Sequence, residues 1–157
     1  MHSTIFRFQK KIFCAGRLDK DTTGLLIFST NGSFINYITS PESNISKTYF
    51  VSLDYEICKT CQKIILDFAK IGVLLSEEKK SNKYFTLPFC INFIDNKTCT
   101  ITLTEGKFHE VKRIFNFFGN NVIDLRRIEI GKVNIEKIFD NEKGNYKFLT
   151  KEQLNIL

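Results

Sequence analysis

The sequence of 157 residues has no apolar run long enough to cross a membrane. A membrane-spanning helix needs about 18 consecutive apolar residues, and the segment from Met1 to Arg7 lacks the apolar centre of a secretory signal peptide. No linker rich in proline or glycine, internal repeat or low-complexity tract divides the chain. We therefore expect a soluble, intracellular protein with a single domain over residues 1–157 and no membrane partner.

A disulfide framework is also missing, because the five cysteines are odd in number and have no compact spacing. This usage favours a reducing compartment. Cys58 and Cys61 form one Cys-x-x-Cys pair, but no second pair and no nearby histidine completes a tetrahedral zinc site. We expect these two cysteines to be structural and the protein to hold no metal.

Positive charge is in excess, with 23 Lys and Arg residues against 17 Asp and Glu residues and a net charge of +6. A basic balance favours an anionic partner such as nucleic acid over an acidic protein surface. Hydrophobic residues make up 43% of the chain and include 16 phenylalanines, which is enough for a substantial core. The composition therefore predicts a globular domain with a polyanionic partner.

Hydrophobic periodicity predicts mostly consecutive strands with a few helices. Residues 47–53 alternate, with Tyr49, Val51 and Leu53 on one face, as a half-buried strand should. This order favours an α+β fold, with a mixed, largely antiparallel sheet and flanking helices, over a doubly wound sheet. The remaining predictions are helices over 34–38, 57–71 and 108–118, a short terminal helix that starts at the capping box of Thr150 to Gln153, and strands over 12–15, 25–30, 84–94, 98–104, 122–130 and 132–139.

The segment most typical of a site is the charged loop from Gly16 to Gly24, which lies between two apolar runs. Asp19 in this loop is the candidate nucleophile. Residues 19–23 fit the Asp-x-Asp-x-Thr signature of haloacid-dehalogenase phosphatases, in which the first aspartate takes the phosphoryl group. Such an enzyme also needs Mg²⁺, a downstream acidic pair and a doubly wound sheet, and the sequence indicates neither the pair nor the sheet.

A second interpretation rests on four segments in a fixed order. These are Gly16-Arg17-Leu18-Asp19 with Thr23-Gly24-Leu25-Leu26, then Lys47-Thr48-Tyr49-Phe50-Val51, then Glu105 to Phe115, and finally Asn120 to Gly131. Together they resemble the pseudouridine synthases, in particular the ribosomal small-subunit type (the RsuA branch) and its large-subunit relatives. The resemblance covers about residues 12–131, and the order of the segments makes it specific.

The resemblance implies that a specific uridine in ribosomal RNA is isomerised to pseudouridine after the base is extruded, without a metal or organic cofactor. Asp19 matches the aspartate nucleophile of that family. Tyr49 matches the tyrosine that packs against the base and is implicated in the final proton removal. Lys112 matches the basic residue that pairs with the aspartate and holds it ionised.

Basic and polar residues near these positions form the predicted RNA-binding set. The resemblance supplies Arg17, and the helical spacing of His109, Lys112 and Arg113 places two cations on one face. Such a face suits the tracking of phosphates. The full predicted set is Arg17, Lys20, Lys47, His109, Arg113 and Arg127.

Two departures from the family pattern bear on function. An N-terminal RNA-binding domain of the S4 type and an Asn-Lys-Pro motif, both usual in this branch, are absent from the sequence, as is the first strand region. Glu110 stands where glutamine is usual, which adds a negative charge near the basic pair. The alternative function is therefore a truncated, inactive relative that binds RNA or assists ribosome assembly. For either function we expect a monomer.

Overall fold

A computed structural model of the chain describes residues 11–76, 83–139 and 144–154. None of the helices in these ranges is long and apolar enough to cross a membrane. The single domain predicted over residues 1–157 includes positions outside the described ranges, so it stays a prediction.

The described residues form ten strands and five helices. The strands are β1 (Phe13–Cys14), β2 (Thr22–Gly24), β3 (Phe28–Ser29), β4 (Lys47–Leu53), β5 (Leu74–Ser76), β6 (Lys83–Phe85), β7 (Cys90–Phe93), β8 (Thr98–Leu103), β9 (Val122–Ile130) and β10 (Val133–Asn134). The helices are α1 (Gly32–Thr39), α2 (Lys59–Ile71), α3 (Glu110–Phe117), α4 (Ile135–Ile138) and α5 (Lys151–Leu154), with a 3₁₀ turn at Pro41–Ser43.

The central sheet has the strand order β10-β9-β4-β8-β7, and β2 also pairs with β9. The neighbouring strands in this order are antiparallel, whereas β2 runs parallel to β9. Two further antiparallel pairs, β1 with β3 and β5 with β6, lie outside this sheet. The predicted α+β fold with a mixed, largely antiparallel sheet is confirmed.

Alternation along the central strands builds the larger of two hydrophobic cores. Val51 and Leu53 on β4 and Ile101 on β8 are at most 1% exposed, because every second side chain of a strand points to the same face. Ile65 of α2 and Phe115 of α3 belong to the same buried cluster. The apolar faces of helices α2 and α3 therefore pack against one face of the sheet.

A second buried cluster holds the elements around the charged loop. Ala15, Leu25 and Ile27 pack there with Ile38 of α1. Strand β9 contributes to both cores, because Leu125 belongs to the first cluster and Ile130 to the second. The loop from Gly16 to Gly24 thus lies where the two cores meet along β9.

Several predicted boundaries change in the structure. The helix expected from position 108 begins at Glu110, because His109 has a left-handed φ of 49° that interrupts the helix. The strand expected over 84–94 is split between β6 and β7, and Pro88 between them cannot donate to a ladder. The strand expected over 132–139 is the short β10 followed by α4, since the side chain of Asn134 caps this helix by accepting from the Glu136 N–H.

The strand expected over residues 25–30 is reduced to Phe28–Ser29. Leu25 instead donates its N–H to the carbonyl oxygen of Arg127, and the Ile27 carbonyl accepts from the N–H of Ala15. The backbone of this segment therefore hydrogen-bonds first to Arg127 and then to Ala15, so it forms no continuous ladder with a single strand.

Candidate active site

The loop from Gly16 to Gly24 is held by backbone hydrogen bonds inside it and after it. The N–H of Thr22 donates to the carbonyl oxygen of Asp19 over 2.9 Å, which closes a turn around the candidate nucleophile. Directly after the loop, the N–H of Leu25 donates to the carbonyl oxygen of Arg127 over 2.8 Å. The sheet therefore fixes the position of the backbone that carries Asp19.

Asp19 faces the start of α3. Nε2 of His109 lies 3.6 Å from Oδ1 of Asp19, and the two side chains are 31% and 30% exposed. The imidazole also stacks on the ring of Phe108, with the ring centroids 3.8 Å apart. His109, which the sequence placed in the RNA-binding set, is thus the neighbour of the candidate nucleophile.

Lys112 contacts the other aspartate of the loop. Its Nζ lies 2.5 Å from Oδ1 of Asp21, and this hydrogen bond holds the pKa of the Asp21 carboxyl below its ordinary value. The resemblance implied a pair between Lys112 and Asp19, so the structure corrects the partner. His109 precedes the first residue of α3 and Lys112 lies in its first turn, so the two side chains reach different aspartates of the loop.

Tyr49 lies partly buried on β4, within electrostatic reach of Asp19. Burial raises the pKa of the Tyr49 hydroxyl, and the negative charges of Asp19 and Glu110 act in the same direction. The positive charge of Arg127 opposes them. Asp19 and Tyr49 are therefore within electrostatic reach of each other, whereas Lys112 is connected to the loop by its ion pair with Asp21.

Arg127 is not at the surface, which corrects its place in the RNA-binding set. It is 2% exposed, and its Nε donates to the carbonyl oxygen of Leu25 over 2.8 Å. Its Nη1 donates to the carbonyl oxygen of Arg17 over 3.4 Å. Two residues before it on β9, Leu125 is also buried, and this strand parity is the signal that places Arg127 inward.

Two other members of the RNA-binding set make contacts within the fold. Lys47 donates from Nζ to the carbonyl oxygen of Ile45 over 3.3 Å, and burial lowers the pKa of its ammonium group. The guanidinium of Arg113 donates to the hydroxyl of Tyr84 over 3.1 Å and to the carbonyl oxygen of Ser76. Arg113 thus ties α3 to the β5 and β6 pair.

Arg17 and Lys20 are the members of the set with exposed side chains. Both lie on the loop that carries Asp19, one on each side of it. Their positive charges therefore lie at the surface on both sides of Asp19.

Glu110 is a buried acid at the start of α3. It is 3% exposed, and its Oε2 accepts the N–H of Lys107 over 2.9 Å. Its carboxyl also shares a hydrogen bond with the side chain of Glu105. Burial and the neighbouring Glu105 carboxyl raise the pKa of Glu110 to about 7. The added negative charge expected from the sequence is therefore suppressed below neutral pH.

The substitution Glu110→Gln is expected to stabilise the protein at pH 8 and much less at pH 5. Because the pKa of Glu110 is raised by folding to about 7, ionisation favours the unfolded state increasingly as the pH rises from about 4.5 to 7. Glutamine keeps the acceptor for Lys107 and does not ionise, so the free energy of unfolding should rise by about 1 to 3 kcal/mol at pH 8.

Urea unfolding of both proteins at the two pH values measures this difference. The exposed Glu42, changed to glutamine, is the matched control and should show no such dependence. An equal effect of Glu110→Gln at pH 5 and pH 8 would contradict the raised pKa.

The cysteine pair caps a helix. Sγ of Cys58 accepts the N–H of Cys61 at the start of α2, and the two sulfurs are 3.0 Å apart. Across residues 11–76, 83–139 and 144–154, no group of three His, Cys, Asp or Glu side chains is arranged to hold a metal ion. The capping contact supports a structural role for the pair.

The phosphatase interpretation of the loop does not fit the fold. That enzyme class needs a doubly wound parallel sheet. Here the central strands are antiparallel neighbours, and the loop ends in β2, which adds to β9 at the margin of the sheet. Asp19 and Asp21 also turn to different partners on α3.

The family model described as RNA pseudouridylate synthase matches residues 6–117. The chain is 34% identical to ribosomal small subunit pseudouridine synthase A of Haemophilus influenzae, over 99% of this chain and 65% of that protein. It is 37% identical to the protein of the same name from Escherichia coli K12, over 92% of this chain and 58% of that protein. The chain thus spans about three fifths of the length of these relatives.

Solved structures agree with this relationship. A crystal structure of a pseudouridylate synthase superposes with a TM-score of 0.81 at 34% identity and covers 93% of this chain and 59% of its own. A Cbf5-Nop10-Gar1 complex, at 12% identity and a TM-score of 0.60, shares the fold alone. The matched family segment includes the loop, β4 and α3. The chain therefore belongs to the RNA pseudouridylate synthase family.

Proposed function

We propose that the chain isomerises a uridine of small-subunit ribosomal RNA to pseudouridine, with Asp19 as the nucleophile. The observation that carries this proposal is the position of Asp19, on a loop fixed by the sheet and within electrostatic reach of Tyr49. Family membership and the names of the relatives support the reaction and the RNA class. The 30% exposure of the Asp19 side chain leaves room for an incoming nucleotide.

The proposed reaction redistributes bonds without oxidation or reduction. Asp19 attacks the uracil ring or the ribose, and the bond between N1 of the base and C1′ of the ribose breaks. The base turns, C5 bonds to C1′, and the bond between Asp19 and the substrate breaks, which regenerates the carboxylate. Tyr49 then accepts the proton that leaves C5, while N1 of the base gains a proton. The substrate and product are isomers, so no electron carrier is needed.

A base inside folded RNA must leave its stack before Asp19 can reach it. An extruded base needs an aromatic partner, and its flanking phosphates need cations. Tyr49 supplies the ring, whereas Arg17 and Lys20 supply exposed charge on the loop itself. His109 lies beside Asp19, and Lys47 is within electrostatic reach of Arg127 and Glu110.

Purified chain incubated with unmodified small-subunit ribosomal RNA is expected to form pseudouridine at a specific position. The measurement is position-resolved pseudouridine mapping, with large-subunit RNA and an unrelated structured RNA as parallel substrates. RNA affinity is measured under the same conditions. Binding without conversion would contradict the proposal and favour the alternative function, an inactive relative that binds RNA or assists ribosome assembly.

Removing the exposed loop charges is expected to weaken the salt dependence of RNA binding. Arg17→Gln and Lys20→Gln should each lower the slope of log K against log salt by about 0.7 to 0.9 for each phosphate that is no longer neutralised. Lys70→Gln is the matched control, because Lys70 is exposed on α2 and pairs with Asp67. Equal slopes for the three variants and the unmodified chain would show that the loop does not contact phosphates.

The proposal extends to the setting of the reaction. We infer that the chain acts as a monomer, without a metal or organic cofactor, where ribosomes are assembled in a bacterial cytoplasm or an organellar matrix. Conversion that persists in a chelator would support the absence of a metal, and the mass of the purified chain in solution would test whether it is a monomer.

A further inference from the structure

Arg127 occupies the junction of three segments of the site. On β9 it lies opposite Tyr49 of β4 and, on its other side, opposite Gly24 of β2. Residues directly opposite each other in a sheet direct their side chains to the same face. The guanidinium of Arg127 and the ring of Tyr49 therefore share one face.

A β-bulge creates this arrangement. The register between β4 and β9 shifts between Thr48 and Tyr49, so that Thr48 lies opposite Glu129 while Tyr49 lies opposite Arg127. Ile128 is the extra residue, and such bulges redirect side chains beside active sites. Without the shift, Tyr49 would face Ile128.

The hydrogen bonds of the guanidinium reach both ends of the loop. Nη1 donates to the carbonyl oxygen of Arg17 near its start, and Nε donates to that of Leu25 just after its end. The guanidinium also shares a side-chain hydrogen bond with Tyr49, which lowers the pKa of the Tyr49 hydroxyl.

Arg127 is the positive charge that acts on the pKa of the Tyr49 hydroxyl. The groups that act on the hydroxyl of Tyr49 are Arg127 on β9, Asp19 on the loop and Glu110 on α3. Both acids raise the pKa of the hydroxyl, as does burial, whereas Arg127 opposes them. Arg127 is therefore the cation that favours the ionised, proton-accepting form of the hydroxyl.

We propose that Arg127 is a positioning residue, which holds both ends of the loop that carries Asp19 and prepares the hydroxyl of Tyr49 for proton transfer. This inference rests on the proposed function for its catalytic consequence. In this role Arg127 does not contact the RNA, because its side chain is buried beneath the loop. The forked hydrogen bonds of the guanidinium hold the loop in place, and its positive charge favours the ionised form of the Tyr49 hydroxyl.

The test compares three variants of the whole chain: Arg127→Gln, Arg127→Lys and Arg126→Gln. Arg126 is the matched control because it neighbours Arg127 on β9 and points to the opposite face. The measurements are kcat and KM for pseudouridine formation, RNA affinity, and hydrogen exchange of residues 16–24. Fluorotyrosine incorporation with fluorine NMR follows the ionisation of position 49, with Tyr49→Phe identifying the resonance.

Arg127→Gln is expected to lower kcat about 100-fold, since small displacements of reacting groups have effects of this size, and to change RNA affinity less than about threefold. The amide hydrogens of residues 16–24 should exchange faster with solvent, and the hydroxyl of Tyr49 should ionise at higher pH. Arg127→Lys should restore the ionisation but not kcat, because lysine keeps the charge and lacks the fork. Arg126→Gln should match the unmodified chain.

A wild-type kcat in Arg127→Gln, or an unchanged ionisation of position 49, would overturn the proposal. So would a tenfold loss of RNA affinity with kcat retained, which would restore Arg127 as an RNA contact. If Arg127→Gln does not fold, Arg127→Lys decides, since unaltered loop exchange and kcat in that variant would also overturn it. If the unmodified chain makes no pseudouridine, the proposed function fails, while loop exchange and the ionisation of position 49 still test the role of Arg127.

Discussion

Asparagine at position 19 should abolish pseudouridine formation and leave RNA binding nearly unchanged. The substitution keeps the size of the side chain and removes the anionic oxygen that we propose attacks the substrate. The loss in kcat should be at least about 10⁴-fold, as expected for removal of a nucleophile. RNA affinity should change little, because the exposed loop charges on Arg17 and Lys20 remain.

Asp21→Asn is the matched control for this experiment. Asp21 stands two residues from Asp19, its side chain is 73% exposed, and its partner is Lys112. Loss of this exposed ion pair should reduce kcat less than about tenfold. Position-resolved mapping with both variants distinguishes the roles. Conversion by Asp19→Asn at a rate near that of Asp21→Asn would remove Asp19 as the nucleophile.

Alanine at position 24 should strongly destabilise the junction between the loop and the sheet. Gly24 has a φ of 113°, and a Cβ there would lie 2.6 Å from the backbone nitrogen of Arg127 and closer still to its carbonyl oxygen. The parallel pair of β2 and β9 must therefore separate. Backbone strain and broken hydrogen bonds together should lower the free energy of unfolding by about 2 to 4 kcal/mol.

Gly16→Ala provides the control for backbone strain alone. Gly16 also has a positive φ, of 81°, but a Cβ at this position meets no atom within 4 Å. Its cost should be about 1 kcal/mol. Thermal unfolding of both variants should show a decrease in Tm several degrees larger for Gly24→Ala, with faster hydrogen exchange in residues 16–24. Equal decreases in Tm would contradict the close approach of β2 to β9.

The two experiments address different properties of the same loop. Asp19→Asn changes chemistry on an intact scaffold, whereas Gly24→Ala moves the scaffold and leaves the acid in place. If Asp19 depends on its position for reactivity, Gly24→Ala should also lower kcat in the folded fraction. The positioning role proposed for Arg127 predicts this result, since Gly24 and Arg127 are directly opposed on β2 and β9.

Local periodicity predicted the regular elements well. Residues 47–53 form β4 as expected, and residues 98–103 form β8, because alternation is a property of the strand itself. Helix α2 begins two residues later than expected because Cys58 serves as its cap. Short pieces were predicted poorly: β2 has three residues and exists because β9 passes beside it, which no local pattern shows.

The order of four motifs was enough to predict the family, which the match over residues 6–117 confirms. It also indicated Asp19, Tyr49 and Lys112 as candidates by their positions in those motifs. It did not reveal their partners. His109 beside Asp19, and Asp21 on Lys112, join positions about 90 residues apart, and such pairs depend on how α3 packs against the loop.

By itself, therefore, the sequence determined the fold class, the family and the identity of the candidate reactive groups, because these depend on periodicity and on residue order. The tertiary structure decided which groups meet. It moved Arg127 from the expected RNA surface to a buried site beneath the loop, and it suppressed the charge of Glu110 by burial. Burial and strand register are set by contacts between distant segments, and these contacts determine how a charged side chain behaves.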